Sequence, residues 1–287
     1  MAKCGHYSAV VVLSCASLLV STCSSAQELR TPNCTGPNAS DDLPARYELN
    51  QGVEAYKAAH YSEAISHFQK ATDISPCLAM ARAYLATAQA QNVVPGLDTP
   101  DNLKTANVAL ENFKQVLAQA PHDMNSLKQV AAVYFSTKKF DDAREWQKRV
   151  LVEDPNDYEA AYTIGVIDWT QAHHNVLTVL ATVGMVDDGV GNAKAPVEVL
   201  EKIKQQNSQL IEEALQYLSQ AMEHHPNYDD AMAYINLVFR RKADLDYDNP
   251  TLRDEDVAKA QEWARKSMQT RKEDEEKKMA SPDSAQP

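Results

Sequence analysis

From Glu48 to Pro76 the chain reads ELNQGVEAYKAAHYSEAISHFQKATDISP. Counted from Gly52, the residues Tyr56, Tyr61, Ala64, Phe68, Ala71 and Pro76 follow at steps of 4, 9, 12, 16, 19 and 24. This spacing describes two helices that approach closely where their side chains are small, at Gly52 and Ala64. Phe68 and Ala71 then lie on a face that meets whatever follows. Pro76 cannot continue a helix and begins the next turn.

The spacing recurs. Ala109, Phe113, Val116 and Pro121 repeat the Ala64, Phe68, Ala71, Pro76 pattern. So do Ala143, Gln147, Val150 and Pro155, with Tyr134 and Phe140 ahead of them, and then Ala214, Leu218, Ala221 and Pro226. The four prolines are separated by 45, 34 and 71 residues. A fixed period is the mark of a stacked array. The pattern resembles the tetratricopeptide repeat, a helix–turn–helix unit of about 34 residues. Within that family the chain is most similar to exported bacterial members of no assigned activity, on the strength of YTIGVIDW (Tyr162 to Trp169) and DDAMAYINL (Asp229 to Leu237).

The resemblance implies an all-α, right-handed superhelical solenoid of about five helix pairs, over 45–78, 79–123, 124–157, 158–227 and 228–270. Insertions fall within the second and fourth units. The first lies near VVPGLDTPDNL (Val93 to Leu103), whose Pro95-Gly96 and Thr99-Pro100 are turn and helix-start signals. The second lies near Asn175 to Gln205, and its apolar stretch Val176 to Val186 is expected to lengthen a helix and pack on the array. Leu252 to Met268 reads as the last helix. Residues 271–287 are charged and then rich in Pro and Ser, and are expected to be a disordered tail.

Composition agrees with helices. Of 287 residues only 8 are Gly and 5 are Phe, and 13 Pro exclude one uninterrupted coiled coil. Lys plus Arg is 28 against 40 Asp plus Glu, a net charge of −12. That balance argues against general nucleic-acid binding, which draws its affinity from cations on phosphates, and against lying on an anionic membrane.

The N-terminus reads as an export leader over 1–26. Lys3 precedes the uncharged run Ala9 to Val20, which is too short to span a bilayer. Two processing routes stay open. A peptidase can cut before Gln27, after Ser24-Ser25-Ala26. Alternatively Val20-Ser21-Thr22-Cys23 serves as a lipobox, with lipid on Cys23, although Thr22 departs from the usual small residue there. The chain is thus expected to be periplasmic or secreted, or tethered to a membrane through Cys23. Residues 27–44 read as a linker. Export leaves Cys34 and Cys77 either as a disulfide or as two unrelated thiols.

The family resemblance implies a concave groove lined by the first helix of each unit, which holds protein or peptide segments. Counted from the small residue of each helix, the groove positions are Leu49, Val53 and Tyr56 in the first unit, and Lys128 and Phe135 in the third. In the fourth they are Tyr162, Val166 and Trp169, and in the fifth Met232, Asn236 and Phe239. An apolar, aromatic groove of this kind suits a hydrophobic or helical peptide, which is the work of a scaffold or assembly factor in the cell envelope.

Catalysis finds little support. The chain carries no G-x-S-x-G, H-E-x-x-H or phosphate loop. The pairs His173-His174 and His224-His225 point in diverging directions on a helix, so no metal or cofactor is expected from them. One loop has ligand-like spacing. Asp244, Asp246, Asp248 and, eleven residues after the first, Glu255 place oxygens as an EF-hand does, with Asn249 at the turn glycine. The alternative function is therefore a calcium- or ligand-responsive sensor. The competing reading of the same residues is an acidic loop in which Asp caps the second helix.

Overall fold

The computed structural model describes residues 42–280, so the leader, Cys23 and Cys34 lie outside the described residues. Among the described residues there are ten helices and no strand. They are α1 (Leu43–Lys57), α2 (Tyr61–Ile74), α3 (Ala79–Ala90), α4 (Pro100–Gln119), α5 (Met124–Ser136), α6 (Phe140–Glu153), α7 (Tyr158–Ala181), α8 (Val197–His224), α9 (Asp229–Ala243) and α10 (Pro250–Ala280). Each packs chiefly on the next in the chain. The odd-numbered helices also meet one another, α1 on α3, α3 on α5 and α7 on α9. They therefore share one face, which we call the inner face.

Local chemistry starts and stops these helices. Asp123 and Asp157 cap α5 and α7, accepting from the amides of Ser126 at 2.8 Å and Ala160 at 2.9 Å. Thr99 and Pro100 start α4. Ala59 and Lys138 adopt left-handed backbone (φ 59° and 57°) at the turns that close α1 and α5. The loop before α4 is pinned by the Asn102 side chain. Its amide oxygen accepts from the Val94 N–H, and its nitrogen donates to the carbonyls of Val94 and Leu97. The Gly96 N–H of the same loop donates to the Ser136 carbonyl at 2.8 Å, which ties that loop to the end of α5.

Small residues do set the helix spacing. A Cβ added at Gly165 would fall 2.5 Å from Leu218 Cγ and 3.2 Å from the Ala214 carbonyl oxygen. Leu218 of α8 thus sits directly on the backbone of α7. Phe68, Phe113 and Leu218 are fully buried, each at the heart of one of three apolar clusters along the array.

The helices α7 and α8 are long, 24 and 28 residues. Val176, Val179 and Leu180 of α7 bury against Val199, Leu200 and Ile203 of α8, so the apolar stretch continues the array's core. The connecting loop then folds onto the end of α9. Gly191, at φ 101°, comes so close that an added Cβ would lie 3.0 Å from the Ala243 carbonyl oxygen. Arg241 is the centre of this clasp. Its guanidinium reaches Asp187 of the loop at 2.9 Å and Asp244 at 3.2 Å. The Asn192 amide donates to both carboxylates, at 3.0 Å and 2.8 Å. Arg241, Asp244 and Asn192 are all buried.

The C-terminal end differs from the expected disordered tail. α10 runs on through Ala280, and only 281–287 lie outside the described residues. The charges of this stretch stabilise helix. Arg271 pairs with Asp229 and Asp230 of α9, and Lys272 with Glu276, one turn on.

Candidate functional site

Tyr158, Tyr162, Trp169 and His173 stand at helical spacing on the inner face of α7, and α9 brings Tyr228 and Tyr234 against them. The rings form a continuous seam. Tyr158 meets Tyr228 edge-on at 5.3 Å, and Tyr228 meets Tyr162 at 4.8 Å. Tyr234 stands edge-on to both Tyr162, at 5.6 Å, and Trp169, at 5.3 Å. His225 stacks on Tyr158 at 4.6 Å, and His173 on Trp169 at 5.1 Å. Contacts of this geometry add about 0.5–1.5 kcal/mol each beyond area burial. Burial raises the hydroxyl pKa of Tyr228 to about 12 and raises those of Tyr162 and Tyr234. All three remain neutral donors at physiological pH.

Beside the seam lies a cavity of about 300 Å³, lined by Lys128, Asp157, Glu159, Tyr162 and Tyr228 among others. The Lys128 ammonium sits 2.5 Å from Asp157 and 3.8 Å from Glu159. The hydrogen bond to Asp157 raises its pKa, so it stays charged. Asp157 does two jobs here, capping α7 and holding Lys128.

A scan against protein-family models and a search of curated proteins return no match. The solved structures do. A crystal structure of MamA protein superposes with a TM-score of 0.53 at 12% identity, covering 81% of this chain and 94% of that one. MamA from residue 41 onward of Desulfovibrio magneticus RS-1 gives 0.50 at 15% identity, covering 78% and 97%. These are tetratricopeptide-repeat proteins. The fold is a tetratricopeptide-repeat solenoid. At such identities the likeness concerns the fold alone.

The solenoid gathers only some of the residues that sequence places in its groove. Lys128, Tyr162 and Trp169 join the cavity and seam. Val166, between them on α7, is buried. In α1, Leu49 is buried in the first apolar cluster, while Val53 and Tyr56 are half-buried and Tyr56 rests on Tyr61 at 5.4 Å. Phe135 packs edge-on to Phe140 at 5.7 Å. The three groove residues of the fifth unit are misplaced by the sequence reading. Met232 is buried and accepts from the Thr270 hydroxyl of α10 at 3.6 Å. Phe239 turns toward α8 and α10, lining a cleft of about 490 Å³ with Leu215, Met222 and Trp263. The reason is a register shift of one residue. Ala233-Tyr-Ile-Asn236 matches Tyr162-Thr-Ile-Gly165, and Ile235 is buried as Ile164 is. Asn236 therefore takes the place of the small residue, and it accepts from Arg240 at 3.2 Å.

Sequence reasoning missed Tyr158, Tyr228 and Tyr234. Tyr158 had a signal, since it precedes Tyr162 by one helical turn. Tyr228 and Tyr234 had none, because the corrected register of α9 puts Ala233, Leu237 and Arg240 at the groove positions.

The acidic loop does not bring its four carboxylates together in this solenoid. Pro250 starts α10 at the seventh loop position, so the later positions are helical. Asp244 is held by Arg241 and Asn192, whereas Asp246 turns to Lys242 at 3.2 Å. Asp248 lies 3.8 Å from Lys204, and Glu255 is exposed on α10. Four carboxylates drawn to separate places do not form a shell. Among the described residues no three His, Cys, Asp or Glu converge on a common point. Cys77 is disulfide-bonded, and its partner lies outside the described residues.

One buried charge stands apart from the groove. Asp168 of α7 is fully buried, facing Arg144 of α6 at 2.9 Å, and Arg144 also pairs with Glu213 of α8. Burial pushes the Asp168 carboxyl up to about 6, against the pull of Arg144. Its folded pKa exceeds the unfolded one, so the stability it contributes is present at low pH and is lost as pH rises through about 6. Relative to Asp168→Asn, the native chain should gain about 1.4 kcal/mol between pH 7.5 and 5.0. Urea unfolding of both chains at the two pH values measures this. Parallel pH dependences would show that Asp168 does not titrate there.

Proposed function

We propose that this chain is an exported, non-enzymatic scaffold that docks a peptide or helix of a partner protein on the inner face of its solenoid. The observation that carries the reading is the aromatic seam of α7 and α9 with its adjoining cavity. Half-buried Tyr and Trp rings are rigid, amphipathic anchors, the residue types that dominate binding energy in protein interfaces. Export rests on the N-terminal leader, and the scaffold role on the fold and on the absence of a catalytic motif in the sequence.

The test uses photo-crosslinking in envelope extract. A photoreactive phenylalanine replaces Ala132, exposed on the inner face of α5 one turn beyond Lys128, or Val152, exposed on α6. A specific adduct should form from position 132 and not from position 152. Equal capture at both positions would refute inner-face docking. Retention of the leader-bearing chain in the cytoplasm would refute export.

A further inference from the structure

The inner face around the N-terminal half of α7 is aromatic, and it is also strongly acidic. Asp154, Asp157 and Glu159 surround Lys128 closely enough to raise its pKa. Asp229, Asp230 and Glu159 act likewise on Tyr228. Of these carboxylates, Asp157 and Glu159 line the cavity beside Lys128, while Asp229 and Asp230 stand at the start of α9 and pair with Arg271 of α10. The pairing is incomplete. Glu159 lies 3.8 Å from Lys128 and keeps 63% of its side chain in solvent, and Asp230 keeps 55%.

We propose that the segment docked here is basic, and that a Lys or Arg side chain of the partner inserts beside Tyr162 and Tyr228 with its cation on Glu159 and Asp230. The inference rests on the docking function proposed above and adds the chemistry of the occupant. Tyrosine rings offer their faces to cations. Neighbouring carboxylates neutralise that charge, and the partly enclosed cavity strengthens the attraction. An acidic segment meets like charge from Asp157 and Glu159 in the cavity and from Asp230 beside it. A purely apolar segment strips water from the exposed parts of Glu159 and Asp230, which Lys128 and Arg271 leave uncovered.

Fluorescence anisotropy of the mature chain with three labelled ten-residue peptides tests this. All share the same Leu and Ala positions, and the remaining positions are Lys, Gln or Glu. The Lys peptide should bind about tenfold more tightly than the Gln peptide, the sum of one cation–π contact and one partly exposed ion pair. Rising salt should erode that difference. Glu159→Gln should weaken the Lys peptide about threefold or more. Glu145→Gln, an equally exposed carboxylate on α6, should leave it unchanged. Both side chains are exposed, so neither substitution threatens folding. Equal losses in the two variants would reduce the effect to general attraction by an acidic protein and overturn the proposal. Equal binding of the Lys and Gln peptides overturns cation selection while leaving inner-face docking intact. Binding of none of the three overturns the basic-segment assignment, and the crosslink at position 132 then decides docking independently.

Discussion

Arg241→Leu should destabilise the protein by about 3–5 kcal/mol at pH 8, the usual cost of leaving a buried charge without its partner. Two carboxylates lose their cation at once. Asp244 is completely buried, and Asn192, the remaining donor to both, supplies two N–H groups and no charge. Burial already holds the Asp244 carboxyl at about 7, with Arg241 opposing that rise. Removing the arginine raises it further. A raised folded pKa means that protonation favours the folded state below that pKa. The penalty should therefore shrink markedly at pH 5.5, where Asp244 takes up a proton at little cost. Urea midpoints of both chains at pH 8 and pH 5.5 give the comparison. A loss below about 1 kcal/mol, or one that is the same at both pH values, would mean that Asp187 and Asp244 find solvent instead.

Phe68→Ala should cost about as much, roughly 3–5 kcal/mol for a fully buried ring, but its effect should be local. The ring lies on the bare backbone of Gly52, where an added Cβ would come within 2.5 Å of it, and it stacks on Tyr84 of α3 at 5.5 Å. One side chain thus joins α1, α2 and α3. In a solenoid each unit contacts only its neighbours, so stability is a sum of unit and interface terms. Hydrogen exchange should show protection lost over α1 and α2 and kept over α7 to α10. A uniform loss along the chain would show that the array unfolds as a single cooperative block.

The two substitutions also mark what the sequence does and does not reveal. Phe68 was legible because its packing is local. Gly52, Ala64, Phe68 and Pro76 lie within one repeat period, and the same steps recur down the chain. The fold class follows from that repetition. The clasp around Arg241 was not legible, since it joins Asp187 and Asn192 to residues about fifty positions away and no periodic pattern announces such a pairing. The carboxylates of Asp244 and Asp246 invited a metal reading, although Arg241 and Lys242, three and four residues before them, offer competing partners at helical spacing. The groove was legible in part. Tyr162 and Trp169 follow a helix whose register Gly165 sets, and they lie where that register puts them. Asn236, in the matching place on α9, is no small residue, and choosing its neighbour Ile235 rotated Met232 and Phe239 onto the wrong side.

A helical solenoid behaves mechanically as a spring, in which small rotations between successive coils add up to a change of pitch. The clasp interrupts that spring. It spans from the loop after α7 to the end of α9, bypassing α8, and so cross-braces the last two coils. Pitch changes between these two coils are thereby opposed. Because the seam lies inside the braced part, the distances between its rings are insulated from flexing elsewhere along the coil. The stretch that makes the aromatic contacts is thus expected to hold its bore when the coil flexes.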